Sequence, residues 1–170
     1  MDISELESNI GKVQDYPKPG ILFYDISPLL NNPKAFNYAI NIMAEKLQGY
    51  DINKVAAIDA RGFIFGSALA IKLKMGLVMI RKKNKLPGKT ITQNYKLEYG
   101  EDDLEIQYDL SNGKFAIIDD VLATGGTAVA ACNLIKNGGG TIGCYCTLIE
   151  LEFLFGRKKI KTPFETIIQY

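Results

Sequence analysis

The sequence predicts an α/β domain, a central and mostly parallel sheet flanked by helices on both faces. Three observations carry that expectation. Short apolar runs bounded by turn residues recur at Val55–Ile58, Leu77–Arg81, Phe115–Ile118 and Thr141–Ile149, as suits strands buried on both faces. Between such runs lie stretches with helical period; Ala128, Ala131, Cys132 and Ile135 follow the i, i+3, i+4, i+7 spacing of one helix face. A strand, a tight turn and a helix follow one another twice, in VAAIDARGFIFGSALA and in FAIIDDVLATGGTAVA.

Taken in order, Asp2 to Val13 sets Ile3, Leu6, Ile10 and Val13 on one face and predicts a short amphipathic helix. In DYPKPGILFYDISPLL, Pro17, Pro19, Gly20 and Pro28 argue against any regular helix, and Ile21, Leu22 and Phe23 form an apolar extended patch. Asn32 and Pro33 pair a cap residue with a proline at the first helical position. Phe36, Ile40, Met43, Ala44 and Leu47 then line the helix, and Gly49 ends it. A strand closes at Ile58, Asp59 to Gly62 turns, and a helix runs on to Ala70. After the strand at Leu77–Arg81, the stretch from Lys82 to Glu105 lacks helical period. Connections this long in compact domains usually act as lids or are disordered. Leu104, Ile106 and Tyr108 alternate with polar residues, so the return arm reads as a strand and the whole as a β-ribbon lid. Gly138, Gly139 and Gly140 stop the last helix before the strand from Thr141. No repeat, linker or low-complexity segment interrupts the chain, so residues 1–170 read as one domain.

Composition excludes several functions. Hydrophobic residues make up 47% of 170, which opposes disorder. A net charge of +1 offers no field to recruit nucleic acid or a membrane. No apolar run has transmembrane length and no signal-peptide pattern opens the chain, so a cytoplasmic protein is expected. The absence of histidine is more restrictive. It removes Ser-His-Asp and Cys-His catalysis and histidine metal sites, and leaves proton transfer to a carboxylate, Lys or Tyr. Cys132, Cys144 and Cys146 sit inside apolar periodic segments and read as buried free thiols; a zinc site would need more ligands.

The richest stretch is the one from Phe115. Asp119 and Asp120 end a strand, and Ala123, Thr124, Gly125, Gly126 and Thr127 lead into a helix. Such a turn gathers backbone N–H groups where a phosphate can sit, and the two threonines add hydroxyl donors. The acids suit sugar hydroxyls or a hydrated cation. Together they point to a phosphorylated sugar with a divalent metal. GxxxxGK[ST] does not occur. Arg61, at another strand's carboxyl end, offers a planar fork to phosphate, or else pairs with a surface acid.

IIDDVLATGGT resembles the phosphoribosyl-diphosphate (PRPP) motif of type I phosphoribosyltransferases, and the resemblance extends over nearly the whole chain. DYPKPGILFYDISP is similar to the family's DFPxPGxxFRDISP, DARGF to DSRGF, RKKNKLPG to RKxxKLPG, YKLEYG to SLEYG, and LIEL…GR to LVEL…GR. The pattern is that of adenine-using members. It implies the family fold, with a small hood (about 1–30 plus 150–170) and a flexible lid (about 82–105). The implied reaction is adenine plus PRPP giving AMP plus diphosphate, with Mg2+ carried by PRPP rather than by protein ligands. By resemblance, Ala123 to Thr127 hold the 5-phosphate and Asp119 and Asp120 the ribose. Asp59, Ala60, Arg61, Arg81, Lys82 and Lys85 hold the diphosphate, the last three in some members across a homodimer interface. A non-proline cis peptide is implied at Asp59–Ala60, and Ala60 lacks the family's serine hydroxyl. Ile21, Phe23 and Tyr24 meet the base through backbone, with Tyr24 where many members carry Arg, and Leu151 packs on the base. Arg61, Glu98 and Tyr99 are the implied catalytic residues, Glu98 as proton handler and Tyr99 in lid closure. Two alternatives remain open on the residues alone: a transferase for a 6-oxopurine or orotate, and a PRPP-sensing regulator on the same fold.

Overall fold

The computed structural model describes residues 1–97, 100–107 and 109–170, which divide into two units, Met1–Ile42 and Met43–Tyr170. In the first unit, α1 (Ile3–Glu7) opens with a capping box: the Asp2 carboxylate accepts from Glu5 N at 2.8 Å and the Glu5 carboxylate from Asp2 N at 3.0 Å. The expected helix through Val13 stops far short. Ser8 Oγ and Asn9 Nδ2 both donate to Glu5 O (2.7 and 2.8 Å), side-chain bonds that compete with continuing the helix. The chain re-forms as β1 (Gly11–Gln14), antiparallel to β2 (Leu22–Asp25), with Val13 opposite Phe23. Val13 is exposed, so its place in the apolar period reflected no shared face. A second correction concerns Pro28, which lies in the first turn of a short helix, α2 (Ser27–Asn31). At that position the missing N–H would have had no partner anyway, so proline is tolerated. Asn32 caps α3 (Pro33–Leu47) by accepting from Lys34 N and Ala35 N, as the sequence predicted. The unit boundary falls inside this helix.

The second unit continues as β3 (Lys54–Ile58), α4 (Gly62–Leu73), β4 (Gly76–Lys82), β5 (Thr90–Leu97), β6 (Gly100–Gln107), β7 (Lys114–Leu122), α5 (Gly126–Asn137), β8 (Thr141–Glu150) and β9 (Phe164–Gln169). Two 3-10 turns, Glu152–Leu154 and Gly156–Lys159, precede β9. The sheet order is β5-β6-β4-β3-β7-β8-β9. Strands β4, β3, β7, β8 and β9 run parallel, and the β5–β6 ribbon joins antiparallel along β4. The mixed sheet with a parallel centre agrees with the α/β expectation, and the ribbon with the reading of residues 82–105.

Alternation along the strands separates two faces. Ala56, Ile58, Ile80, Phe115, Ile117 and Tyr145 share one core cluster with Ala128, Ala131, Leu134 and Ile135 of α5. On the other face Gly66 of α4 lies so near Ala57 that an added Cβ would stand 2.4 Å from the alanine's Cβ. Helix α4 is therefore seated on the sheet through a glycine, and the two helices cover opposite faces. Five parallel strands thus bring their carboxyl ends to one edge, where ligands of such sheets bind.

Candidate active site

Three adjacent strand ends, those of β4, β3 and β7, carry the polar residues picked out from the sequence, and the structure joins them. Asp59 follows β3 directly, and the Asp59–Ala60 peptide is cis, as the resemblance implied. Its carboxylate accepts from Arg81 Nε, on β4, at 3.0 Å. Arg61 Nε lies 2.8 Å from Asp120 Oδ2 on β7, so this arginine pairs with a buried acid of the site rather than a surface one. Gly62 fits beneath the same strand, since a Cβ there would meet Ile118 O at 2.8 Å and Asp119 Oδ1 at 3.1 Å. One turn thus approaches two neighbouring strands, through side chains and through a missing side chain.

The acid pair is costly to bury. Burial holds the Asp119 carboxyl well above the ordinary carboxylate range, and the adjacent Asp120 charge adds to this. Burial also raises Asp120, while the Arg61 guanidinium opposes the rise. Asp119 Oδ1 accepts from Asp120 N at 2.9 Å. Asp120 Oδ2 is shut off from solvent with no hydrogen-bond donor aligned on it, despite the close Arg61. An oxygen in that condition suits a ligand hydroxyl or a cation. Among the described residues no group of three or more acids or thiols could hold a metal ion.

Beside the acids, Ala123 to Thr127 turn into α5. Gly125 takes φ +82°, a left-handed conformation that glycine adopts without Cβ strain. No side chain caps the helix, so the first N–H groups of α5 are left for a ligand. The loop has two supports that the sequence reading did not assign. Gly156 packs against it so tightly that a Cβ would lie 2.0 Å from Ala123 O. Lys159 Nζ donates to Thr124 O at 2.7 Å. Tyr95 of β5 stands close enough for its hydroxyl to interact with Thr127.

The basic stretch after β4 is also organised by acids. Lys82 pairs with Asp102 at 3.3 Å and Lys83 with Asp103 at 2.8 Å. Arg81 Nη1 donates to Lys85 O at 3.0 Å, and buried Glu105 accepts from Lys85 N and Leu86 N at 2.9 and 2.8 Å. Glu105 has no signature in the sequence, where it reads as a polar residue alternating with Leu104 and Ile106. Glycine and lysine in GRKK were the one available signal for Gly156 and Lys159.

Of the base-contact residues, Ile21 and Phe23 are half-buried and Tyr24 buried, all at or in β2. Phe23 meets Tyr16 edge-to-face at 5.1 Å between centroids. Burial, with the Glu7 charge adding, pushes the Tyr24 hydroxyl's pKa up, so this side chain brings no charge. Leu151, in the second unit, is buried and immediately precedes the first 3-10 turn. Glu98 and Tyr99 lie outside the described residues.

A family described as phosphoribosyl transferase domain matches residues 25–164. The chain belongs to the phosphoribosyltransferase family. Among curated phosphoribosyltransferases, it is 46% identical over 160 residues to the adenine phosphoribosyltransferase of Idiomarina loihiensis, covering 93% of this chain and 90% of that protein. The crystal structure of adenine phosphoribosyltransferase from Thermoanaerobacter pseudethanolicus is similar with a TM-score of 0.96 at 42% identity, covering 99% of this chain and 100% of that one. The Saccharomyces cerevisiae adenine phosphoribosyltransferase complexed with an imino-altritol bisphosphate and adenine gives 0.91 at 35% identity, covering 97% of each. These phosphoribosyltransferases share the α/β architecture described above.

Proposed function

We propose that this phosphoribosyltransferase joins adenine to PRPP, forming AMP and diphosphate in purine salvage. The observation that carries the reading is the meeting of Arg61–Asp120, Arg81–Asp59 and an uncapped helix start along one sheet edge. Relatives of this chain are adenine phosphoribosyltransferases over nearly their whole length, which supports adenine over a 6-oxopurine or orotate.

The reaction exchanges the diphosphate at the ribose anomeric carbon for a base nitrogen. In our assignment the loop Ala123–Thr127 receives the 5-phosphate through N–H groups of α5, which anchors the sugar far from the reacting bond. Asp119 and Asp120 accept from the ribose hydroxyls, and their charge favours the positive character that the ring gains. Arg61, Arg81, Lys82 and Lys85, with the backbone at Asp59 and Ala60, take up the charge that gathers on the departing diphosphate. Mg2+ bound with PRPP supplies further positive charge to the leaving group. Backbone at Ile21, Phe23 and Tyr24 reads the adenine edge, one C=O accepting from the amine and one N–H donating to a ring nitrogen. Leu151 offers the base an apolar surface. With no histidine in the chain, Glu98 handles the base proton and Tyr99 serves lid closure, excluding water from the reactive centre.

The working form is a homodimer. Ile64 and Ile71 of α4, with Leu77 and Met79 of β4, are 38%, 81%, 38% and 41% exposed, an apolar group that a second copy would cover. Three free, buried thiols suit the reducing cytoplasm. No helix of the described residues is long and apolar enough to cross a membrane.

Incubation with PRPP, Mg2+ and equal amounts of adenine, hypoxanthine, guanine and orotate tests the assignment. AMP and diphosphate should form from adenine alone; a different nucleotide, or none, overturns it. Glu98→Gln should cut turnover while PRPP still binds. Sizing chromatography should give twice the chain mass.

A further inference from the structure

We infer that Glu105 is a positioning residue for the diphosphate, acting through the lysine turn that follows β4. The inference rests on the diphosphate seat proposed above. Glu105 lies on β6, directly across the ladder from Arg81, and is 4% exposed. A carboxylate so placed is expensive unless hydrogen bonds compensate it. It takes two from the turn, Lys85 N at 2.9 Å and Leu86 N at 2.8 Å, both on Oε1. Burial alone would raise its pKa, but the N–H groups of Leu86, Lys85 and Asn84 and the Arg81 charge outweigh burial and lower it.

The turn needs such a clamp. Asn84 has φ +63°, a left-handed conformation that does not hold itself. The carbonyl of the same turn, Lys85 O, accepts from Arg81 Nη1 at 3.0 Å, and Arg81 Nε reaches Asp59 at 3.0 Å. Glu105, the 84–86 turn, Arg81 and Asp59 therefore form one continuous chain of contacts across the ends of β6, β4 and β3. Every cationic side chain proposed for the diphosphate on β4 and its turn is attached to this chain or borders it. Glu105 itself binds its two amides from inside and faces no phosphate. Its effect on the ligand runs through the placement of Lys85 and Arg81. Because Glu105 belongs to the return arm of the ribbon, the same bonds tie the ribbon to the diphosphate seat.

The reverse reaction separates this role from general stability, since AMP and diphosphate are bound as separate substrates. Wild type, Glu105→Ala, Glu105→Gln and Lys85→Ala would be compared by the KM for diphosphate, the KM for AMP and thermal melting. Glu105→Ala should raise the diphosphate KM about tenfold or more, as misplacement of binding groups does, with the AMP KM within about twofold. Glu105→Gln, whose amide oxygen still accepts from both N–H groups, should recover much of the loss. An unchanged diphosphate KM in Glu105→Ala overturns the inference, and so does an equal rise in both constants, which would indicate general structural damage. If the alanine variant does not accumulate folded, Glu105→Asp decides: its carboxylate is withdrawn from Lys85 N and Leu86 N by one methylene, so a raised diphosphate KM at constant AMP KM supports the inference and an unchanged diphosphate KM overturns it. Should Lys85→Ala leave the diphosphate KM at the wild-type value, the diphosphate seat itself is misassigned and the inference falls with it.

Discussion

Gly156→Ala is the sharpest test of how the Ala123–Thr127 loop, proposed to seat the 5-phosphate, is held. Gly156 is buried in the second 3-10 turn, and its backbone is not left-handed. The residue is required there for its lack of a side chain. A Cβ would stand 2.0 Å from Ala123 O, 2.9 Å from Gly125 N and 3.0 Å from Ala123 C, all backbone atoms. Gly125 is equally confined from the other side, where its own Cβ would lie 2.7 Å from Gly156 O. No flexible side-chain end can move aside, so the loop or the turn must shift by about 1.4 Å to reach van der Waals separation. Overpacking of this kind costs about 1–3 kcal/mol. At about 2–4 °C per kcal/mol for a chain of this size, the melting temperature should fall by roughly 2–12 °C. The effect on ligand should be larger than the effect on folding. A displacement of about 1 Å in a positioning loop can cost on the order of a hundredfold in rate. Melting curves by circular dichroism and kcat/KM for PRPP would be measured on one preparation. A variant with wild-type melting and wild-type kcat/KM would refute the buttress, and one destabilised but kinetically normal would sever it from the phosphate seat.

Three further outcomes are expected. Lys159→Met keeps the aliphatic stem and removes the ammonium that donates to Thr124 O, so the Kd for AMP should rise by roughly three- to tenfold, as for loss of one exposed charge-assisted bond, while the diphosphate KM stays put. The buried acid pair binds protons more tightly folded than unfolded, so its contribution to stability is full below the ordinary value of 3.8 and is lost as pH rises through the raised one. A sugar or cation prefers the ionised pair; PRPP with Mg2+ should therefore release protons on binding at a pH where the pair still holds them, seen as buffer-dependent heat in calorimetry, and Asp120→Asn should diminish that release. Burial pushes the Cys144 thiol up to about 12 and raises Cys132 and Cys146 too, so a thiol-specific reagent at neutral pH should find no reactive cysteine in the native protein and three in denaturant.

Much of this was legible in the sequence because it is local. The run from Phe115 to Ala130 contains its strand, its glycine turn and its helix start in one covalent piece, and the structure reproduces it as β7, the loop and α5. The apolar faces of α3 and α5 emerged from period alone for the same reason. Where the reading failed, a local signal was outweighed by one it did not weigh. Ile3, Leu6, Ile10 and Val13 keep helical spacing, yet Ser8 and Asn9 bond back to Glu5 and the chain pairs as β1. Pro28 reads as a breaker by residue type, yet position within the helix decides what a proline costs. The partners of the charged residues were not legible at all. Which acid meets Arg61, Arg81 or the lysine turn depends on the order β6-β4-β3-β7, and that order is set by crossovers with no local imprint.

That order also pairs the charges along the sheet edge with one another. Each strand end along the edge supplies an acid for the cation of a neighbour: Asp120 on β7 for Arg61 after β3, Asp59 after β3 for Arg81 on β4, Asp102 on β6 for Lys82 on β4. A lone arginine at a sheet edge would be free to sample many rotamers, and ordering it would weaken binding. Paired, it waits near the geometry the ligand needs, and the cost of holding it there is met during folding. The pairing also limits how strongly free phosphate is attracted, because each cation is already partly neutralised. Only a ligand that engages several of these pairs and the α5 N–H groups at once offsets the loss. A molecule with a phosphate at one end, a diphosphate at the other and a hydroxylated ring between them meets that condition, whereas inorganic phosphate does not.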